Sequence, residues 1–65
     1  MIRTEQLKWE IAAQGMTTGE VAWNLGMSQK RFEGKLRKGA FGAEEIRDMA
    51  ALLELEHPED IFFAS

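Results

Sequence analysis

The chain has 65 residues, of which 45% are hydrophobic and 29% are charged, as expected for one small globular domain over residues 1–65 and not for a disordered segment. It contains no cysteine and one histidine, which excludes disulfide bonds and argues against a structural zinc site. The longest apolar run, residues 49–53, is too short to cross a membrane, and the N-terminus does not resemble a signal peptide. We therefore expect a cytoplasmic protein with no metal, no cofactor and no membrane partner.

The formal charge of −3 is distributed unevenly along the chain. Residues 1–25 have a net charge of −1 and residues 43–65 a net charge of −6, whereas residues 26–42 have a net charge of +4. A negative total argues against nucleic acid as a partner, because phosphate binding needs lysine and arginine. A basic segment in an acidic chain can nevertheless mark an interaction surface, and the alternative is a solvated helix face.

Glycines and one proline divide the chain into five segments, whose apolar residues have helical rather than alternating spacing. The first segment, residues 4–14, carries Leu7 and Ile11 on its inner side. Thr4 is its predicted N-cap, and Gly15 is the predicted left-handed residue that ends it.

The second segment, residues 18–25, follows Thr17, which has with Glu20 the spacing of a capping box. Gly26 ends this segment by allowing a positive φ. Its inner stripe is apolar and consists of Val21, Ala22 and Leu25. The sequence therefore predicts a short helix with a well-defined start and a sharp end.

The third segment, residues 29–38, begins after Ser28 as the natural N-cap and ends at Gly39. Phe32 and Leu36 are four residues apart and so share one face of the predicted helix. Its other faces are polar and mostly cationic.

The fourth segment, residues 43–53, has the spacing of an amphipathic helix. Its inner residues are Ile46, Met49, Ala50 and Leu53. The fifth segment begins with Pro58 at its first helical position, and we expect Ile61 and Phe62 to close the core, with Phe41 folded onto it. The sequence thus predicts an all-α fold of five short helices.

The functional signal lies between Thr17 and Gly39. One short helix ends at Gly26 and the next begins after Ser28, which is the sharp turn of a helix-turn-helix unit. Ala22 is small enough to let the two helices approach closely. The exposed surface of the second helix is cationic, and a helix has the right diameter for the major groove of DNA.

Residues 17–28, with the sequence TTGEVAWNLGMS, resemble the helix-turn-helix of small lambda-repressor-like (Xre/Cro-type) regulators of phages and mobile elements. Residues 35–41, 45–53 and 58–62 are similar to the segments that follow it in that family, so the resemblance covers nearly the whole chain. It implies a lambda-repressor-like fold and a transcription regulator, a repressor, that binds double-stranded DNA in a prokaryotic or phage-infected cell. Two copies would bind as a homodimer, formed in solution or only on DNA.

Residue by residue, the resemblance implies two sets of DNA contacts. Gln29 and Lys30 match base-reading positions and Glu33 stands beside them, with side chains suited to adenine, guanine and cytosine respectively. The set expected at the DNA backbone contains Thr18, Ser28, Arg31, Lys35, Arg37, Lys38 and Gly39. Four positions depart from the family pattern. Thr18 stands where glutamine is frequent, and Glu54 stands where a helix-ending glycine is usual. Gly34 falls where a side chain can contact a base, and Glu33 repels phosphate unless it accepts from cytosine.

Several of these residues also have a purely structural interpretation. Ser28 caps a helix whether or not DNA is present. Arg31 can pair with a glutamate of its own or a neighbouring helix, and Lys35 can pack its aliphatic stem on the core while its charge stays in water.

Three aromatic residues lie outside the predicted core stripes. We expect Trp9 and Trp23 to be partly buried over the seams between helices, and the alternative is an exposed patch for a partner protein, since tryptophan is enriched at binding hot spots. One of Phe62 and Phe63 is expected in the core, and the other, taken as Phe63, at a C-terminal dimer contact. With the acidic last third, these residues support a second hypothesis, a protein-binding antirepressor, antitoxin or inhibitor.

An enzyme is not expected from this sequence. Its eleven carboxylates fall at helix starts and on solvated faces, and His57 precedes Pro58 at a helix boundary. No Ser/His/Asp set, phosphate-binding loop or metal-ligand spacing is present, so no catalytic residue is assigned.

Overall fold

The computed structural model of the protein describes residues 2–63. Over this range the chain forms five helices and no strand. The helices are α1 (Thr4–Ala13), α2 (Thr18–Asn24), α3 (Gln29–Lys38), α4 (Ala43–Leu52) and α5 (Pro58–Phe62). The predicted all-α fold of five short helices is confirmed. None of the described helices has both the length and the apolar character that a membrane span requires.

The core is built from residues of all five helices together with Leu53, the residue that caps α4. The buried apolar side chains are Leu7, Ile11, Val21, Ala22, Phe32, Leu36, Met49, Leu53, Ile61 and Phe62. Phe41, between α3 and α4, covers them from the side. Its ring centroid lies 5.6 Å from that of Phe32 and 6.2 Å from that of Phe62, the latter edge to face. Phe41 therefore packs between α3 and α5, and its predicted place on the core is confirmed.

The α2–α3 turn is fixed by local hydrogen bonds that the sequence predicts. Thr17 and Glu20 form the capping box of α2: the Glu20 amide donates to the Thr17 hydroxyl at 3.1 Å, and the Thr17 amide donates to Glu20 Oε1 at 2.9 Å. Gly26 then takes a φ of 74°. The Ser28 hydroxyl accepts from the Arg31 amide at 3.1 Å and so caps α3. These two helices make the most extensive helix–helix contact of the fold.

The predicted N-cap of α1 is wrong. Thr4 is the first helical residue, and Arg3 occupies the cap position without a side-chain cap hydrogen bond. The Arg3 amide donates to the Ile61 carbonyl at 2.8 Å, so the start of the chain is already held by α5. The Thr4 hydroxyl instead donates to the Leu36 carbonyl at 3.3 Å. Thr4 thus ties α1 to the end of α3 rather than closing its own helix.

Helices α1 to α4 all end with the same pair of backbone hydrogen bonds. In α4 the Leu55 amide donates to the Ala50 carbonyl at 2.9 Å and the Glu54 amide donates to the Ala51 carbonyl at 3.3 Å, which is a Schellman motif. The left-handed residue of this motif is a glycine in the other three helices. In α4 it is Glu54, with a φ of 54°, alone among the described non-glycine residues in having a positive φ.

Candidate nucleic-acid interface

The exposed side chains of α3 form three rows around its buried face. Phe32 and Leu36 are buried against the core, and residues three or four apart on a helix share a face. Gln29 and Glu33 face α2, as their hydrogen bonds to Thr18 show. The row on the α4 side is basic and consists of Arg31, Lys35 and Lys38. Between them, farthest from the core, lies the outer row, which we define as Lys30 and Arg37.

Four of the five cations of α3 are exposed, and these are Lys30, Arg31, Arg37 and Lys38. Lys35 differs, because its ammonium donates to Glu45 Oε1 at 3.1 Å and its side chain is only 24% exposed. Its predicted backbone contact therefore competes with an ion pair inside the protein. The sequence did not predict the ion pair of Lys35 with Glu45, because two residues ten apart on different helices show no helical periodicity.

Thr18, Gln29 and Glu33 meet beside the outer row in what we call the Thr18–Gln29–Glu33 cluster. Glu33 Oε2 accepts from Gln29 Nε2 at 2.9 Å and from the Thr18 hydroxyl at 3.0 Å. Gln29 Nε2 also donates to the Thr18 hydroxyl at 3.3 Å. A predicted backbone contact and two predicted base readers are thus hydrogen-bonded to one another. Their four-residue spacing on α3 permits the Gln29–Glu33 bond, whereas the link to α2 needs the folded turn.

Gly19 makes room for this cluster, a role that the sequence did not reveal. A Cβ atom built at Gly19 would lie 3.1 Å from Gln29 Oε1, closer than side chains normally approach. The Gln29 amide therefore rests with its oxygen against the Gly19 backbone and its nitrogen towards Thr18 and Glu33. Any larger residue at position 19 would displace it.

The pKa of Glu33 is lowered by the hydrogen bonds from Gln29 and Thr18, with a smaller contribution from the positive charge of Arg37. Hydrogen bonds to the ionised form favour that form. Glu33 therefore stays charged at neutral pH, and the positive charges of the helix on which it lies favour the same ionised form.

The two ends of α3 differ in what they offer to an anion. The first turn contains no acidic residue, so the positive end of the helix dipole is not neutralised there. At the other end, the Gly39 amide donates to the Leu36 carbonyl at 3.3 Å and is used in ending the helix. Of the predicted backbone-contacting groups, Ser28 and the exposed cations are thus better placed than the Gly39 amide.

The expectation that Trp9 and Trp23 are partly buried is wrong. Their side chains are 64% and 83% exposed. Trp9 lies two residues from the buried Leu7 and Ile11, and Trp23 lies two residues from the buried Val21. Each ring therefore points away from those side chains. Trp9 borders a depression with Glu5 and Gln6, whereas Trp23 borders a separate one at the α2–α3 turn.

Phe62 and Phe63 divide between the core and the surface, as expected. Phe62 is buried and Phe63 is 68% exposed. Phe62 is the last residue of α5 and Phe63 follows it. The two rings point in different directions because consecutive residues of a helix are about 100° apart. Phe63 is therefore an apolar ring at the surface close to the end of the chain.

An acidic depression of about 420 Å³ lies between α1 and the α4–α5 connection. Glu10, Glu54, Glu56 and Asp60 line it together with Arg3 and His57. Three glutamates and one aspartate thus meet at one depression, and none of them belongs to α3.

Comparison of the chain with protein-family models, with curated proteins and with solved structures finds no match. The features that bear on function are those of the chain itself. They are the tight α2–α3 turn, the exposed cations of α3, the Thr18–Gln29–Glu33 cluster and the exposed tryptophans.

Proposed function

We propose that this protein is a lambda-repressor-like, sequence-specific DNA-binding transcription regulator, a repressor, whose helix α3 enters the major groove. The observation that carries the proposal is the cationic, exposed surface of α3 directly after a tight turn from α2. Four exposed cations stand on one helix of a chain with a net charge of −3. An α-helix fits the major groove, and lysine and arginine neutralise phosphates and release counterions.

The arrangement of α3 supports a division between base contacts and backbone contacts. Lys30 and the α3 residues of the cluster lie in the first half of α3, where recognition helices contact base edges, whereas Arg37 lies in its last turn. Arg31 and Lys38 lie on the α4 side, where they can reach phosphates. Ser28 caps α3, and the first turn of this helix contains no acidic residue, so the helix start favours an anion such as a phosphate.

Two copies are proposed to bind a pseudo-palindromic site whose half-sites are about 34 Å apart, one helical turn of DNA. Phe63, exposed next to the buried Phe62, offers an apolar ring for the contact between the copies. A single small domain buries little surface in such a contact, so the dimer is expected to be weak until DNA holds both copies.

The test is duplex binding by the double variant Gln29→Ala with Lys30→Ala. We expect specific binding to fall at least tenfold, because each lost base contact is worth about 1–3 kcal/mol of discrimination. The matched control is Arg47→Ala, which removes one positive charge from the exposed surface of α4. Gel-shift titration at two salt concentrations measures both effects. Specific binding by the double variant at the wild-type level would contradict the proposal.

The second candidate is a protein-binding module of the antirepressor, antitoxin or inhibitor kind. The exposure of Trp9 and Trp23 favours it, because large exposed aromatic side chains are frequent at binding hot spots. Tryptophan fluorescence separates the two candidates. A change on adding a protein partner but none on adding duplex DNA at low salt would favour the second, and no duplex binding at low salt would rule out the first.

A further inference from the structure

The Thr18–Gln29–Glu33 cluster leaves Gln29 unable to read adenine as it stands. A glutamine recognises adenine through one N–H donor and its carbonyl oxygen together. The amide nitrogen of Gln29 has two N–H groups, and it donates to Glu33 at 2.9 Å and to Thr18 at 3.3 Å. Its oxygen lies against the backbone of Gly19. Contact with adenine would require Gln29 to give up a hydrogen bond to a carboxylate.

Glu33, in contrast, keeps a free acceptor. Both hydrogen bonds that Glu33 accepts reach its Oε2 atom, and among the described residues none reaches Oε1. An ionised carboxylate has about four acceptor positions, so Oε1 can accept from a group outside the protein. The side chain is exposed, and two neighbours hold it in one orientation.

The chemistry of the major groove selects the group that a carboxylate can bind. Guanine presents two acceptors there and thymine presents one, and all of these repel a negative oxygen. Cytosine presents the N4 amino donor, and adenine presents its N6 amino group next to the N7 acceptor. An ionised Glu33 is therefore best matched by cytosine.

We infer that Glu33 is the base-reading residue of this cluster, that it accepts from the N4 amino group of cytosine, and that Thr18 and Gln29 are positioning residues for its carboxylate. The inference rests on the proposed function and names the base that α3 selects. It also changes the role of Gln29, from a reader of adenine to a residue that acts through Glu33.

The experiment begins with selection of sites from random duplexes by the wild-type protein, followed by titration of each single-base variant of the selected site. We expect one base pair per half-site at which cytosine is preferred about tenfold to a hundredfold. Glu33→Gln should abolish that preference and move it towards adenine, because a glutamine side chain carries both a donor and an acceptor. Glu44→Gln, the same change on the exposed surface of α4, should leave every preference unchanged.

Gln29→Ala separates positioning from direct reading. If Gln29 positions Glu33, its removal weakens the cytosine preference at the same base pair that Glu33→Gln affects. A loss of preference at a different, adenine-containing pair would overturn the inference. So would a Glu33→Gln variant that changes affinity equally for all sequences, because such a change reports only the loss of a repulsive charge. Failure to select any site would overturn the regulator proposal itself and the base assignment with it.

Discussion

At the scale of single residues, hydrogen bonds decide which charges of α3 are available to a partner. Lys35 and Glu45 are each about one quarter exposed, at 24% and 23%, and are joined at 3.1 Å. Glu33 is exposed but is held by two neutral donors. The basic helix therefore presents four exposed cations and one oriented carboxylate, and not a uniform positive surface.

Glu45 gives a residue-scale prediction about stability and pH. Its Oε1 accepts from the Gly42 amide at 2.9 Å and from Lys35, and these contacts lower its pKa, the amide contributing most. A carboxylate whose pKa is lowered in the folded state stabilises the fold above its unfolded pKa, about 4.3, and loses this contribution as the pH falls through the lowered value. Glu45→Gln should thus cost about 1 kcal/mol at pH 7.

Urea unfolding of Glu45→Gln and wild type between about pH 2 and about pH 7 measures this difference. The gap in unfolding free energy should close at the acid end. Glu44→Gln is the matched control, because Glu44 lies in the same first turn of α4 but is exposed. A gap that persists unchanged at acid pH would show that the ionised carboxylate contributes nothing.

At the scale of elements, the helix ends were predictable because residues close in sequence determine them. The predicted and observed limits of α1 to α4 agree within one residue, since Gly15, Gly26 and Gly39 each supply the positive φ of a Schellman motif. Thr4 shows where local chemistry fails. A threonine before an apolar stripe predicts a cap, but the contact of Arg3 with Ile61 shifts the start of the helix.

The end of α4 carries the element-scale prediction. Glu54 adopts a φ of 54°, a conformation that costs a residue with a Cβ roughly 1–2 kcal/mol. Glu54→Gly removes this strain but adds freedom to the unfolded chain, so we expect a net stabilisation of about 0.5–1 kcal/mol. Thermal unfolding measures it. Glu56→Gly, an exposed position without a positive φ, should destabilise slightly, and equal effects of the two changes would contradict the argument.

At the scale of the whole molecule, the sequence could not predict contacts between side chains of different helices. The cluster needs Thr18 of α2 placed against Gln29 and Glu33 of α3, and a helical repeat specifies only one helix at a time. Trp9 and Trp23 were misplaced for a related reason. Large aromatic residues usually contribute to a core, but here the smaller side chains already fill it, and this can be judged only once all five helices are packed.

The charge distribution of the whole molecule gives the last prediction. The described chain measures 28 × 22 × 20 Å, comparable with a Debye length of about 30 Å at 0.01 M salt and well above about 8 Å at 0.15 M. If a duplex binds at α3 as proposed, we therefore expect the acidic depression to repel it at low salt and to be screened at physiological salt.

Glu10→Gln with Glu56→Gln removes two charges from that depression. We expect affinity for a non-specific duplex to rise a few-fold at about 0.01 M salt and to remain unchanged at about 0.15 M. Fluorescence anisotropy with a random-sequence duplex measures both values, and an unchanged urea midpoint would confirm that the fold is intact. Because this repulsion does not depend on base sequence, the ratio of specific to non-specific affinity should stay unchanged. Equal gains at both salt concentrations would contradict a long-range effect and would indicate instead that Glu10 or Glu56 lies directly against the DNA.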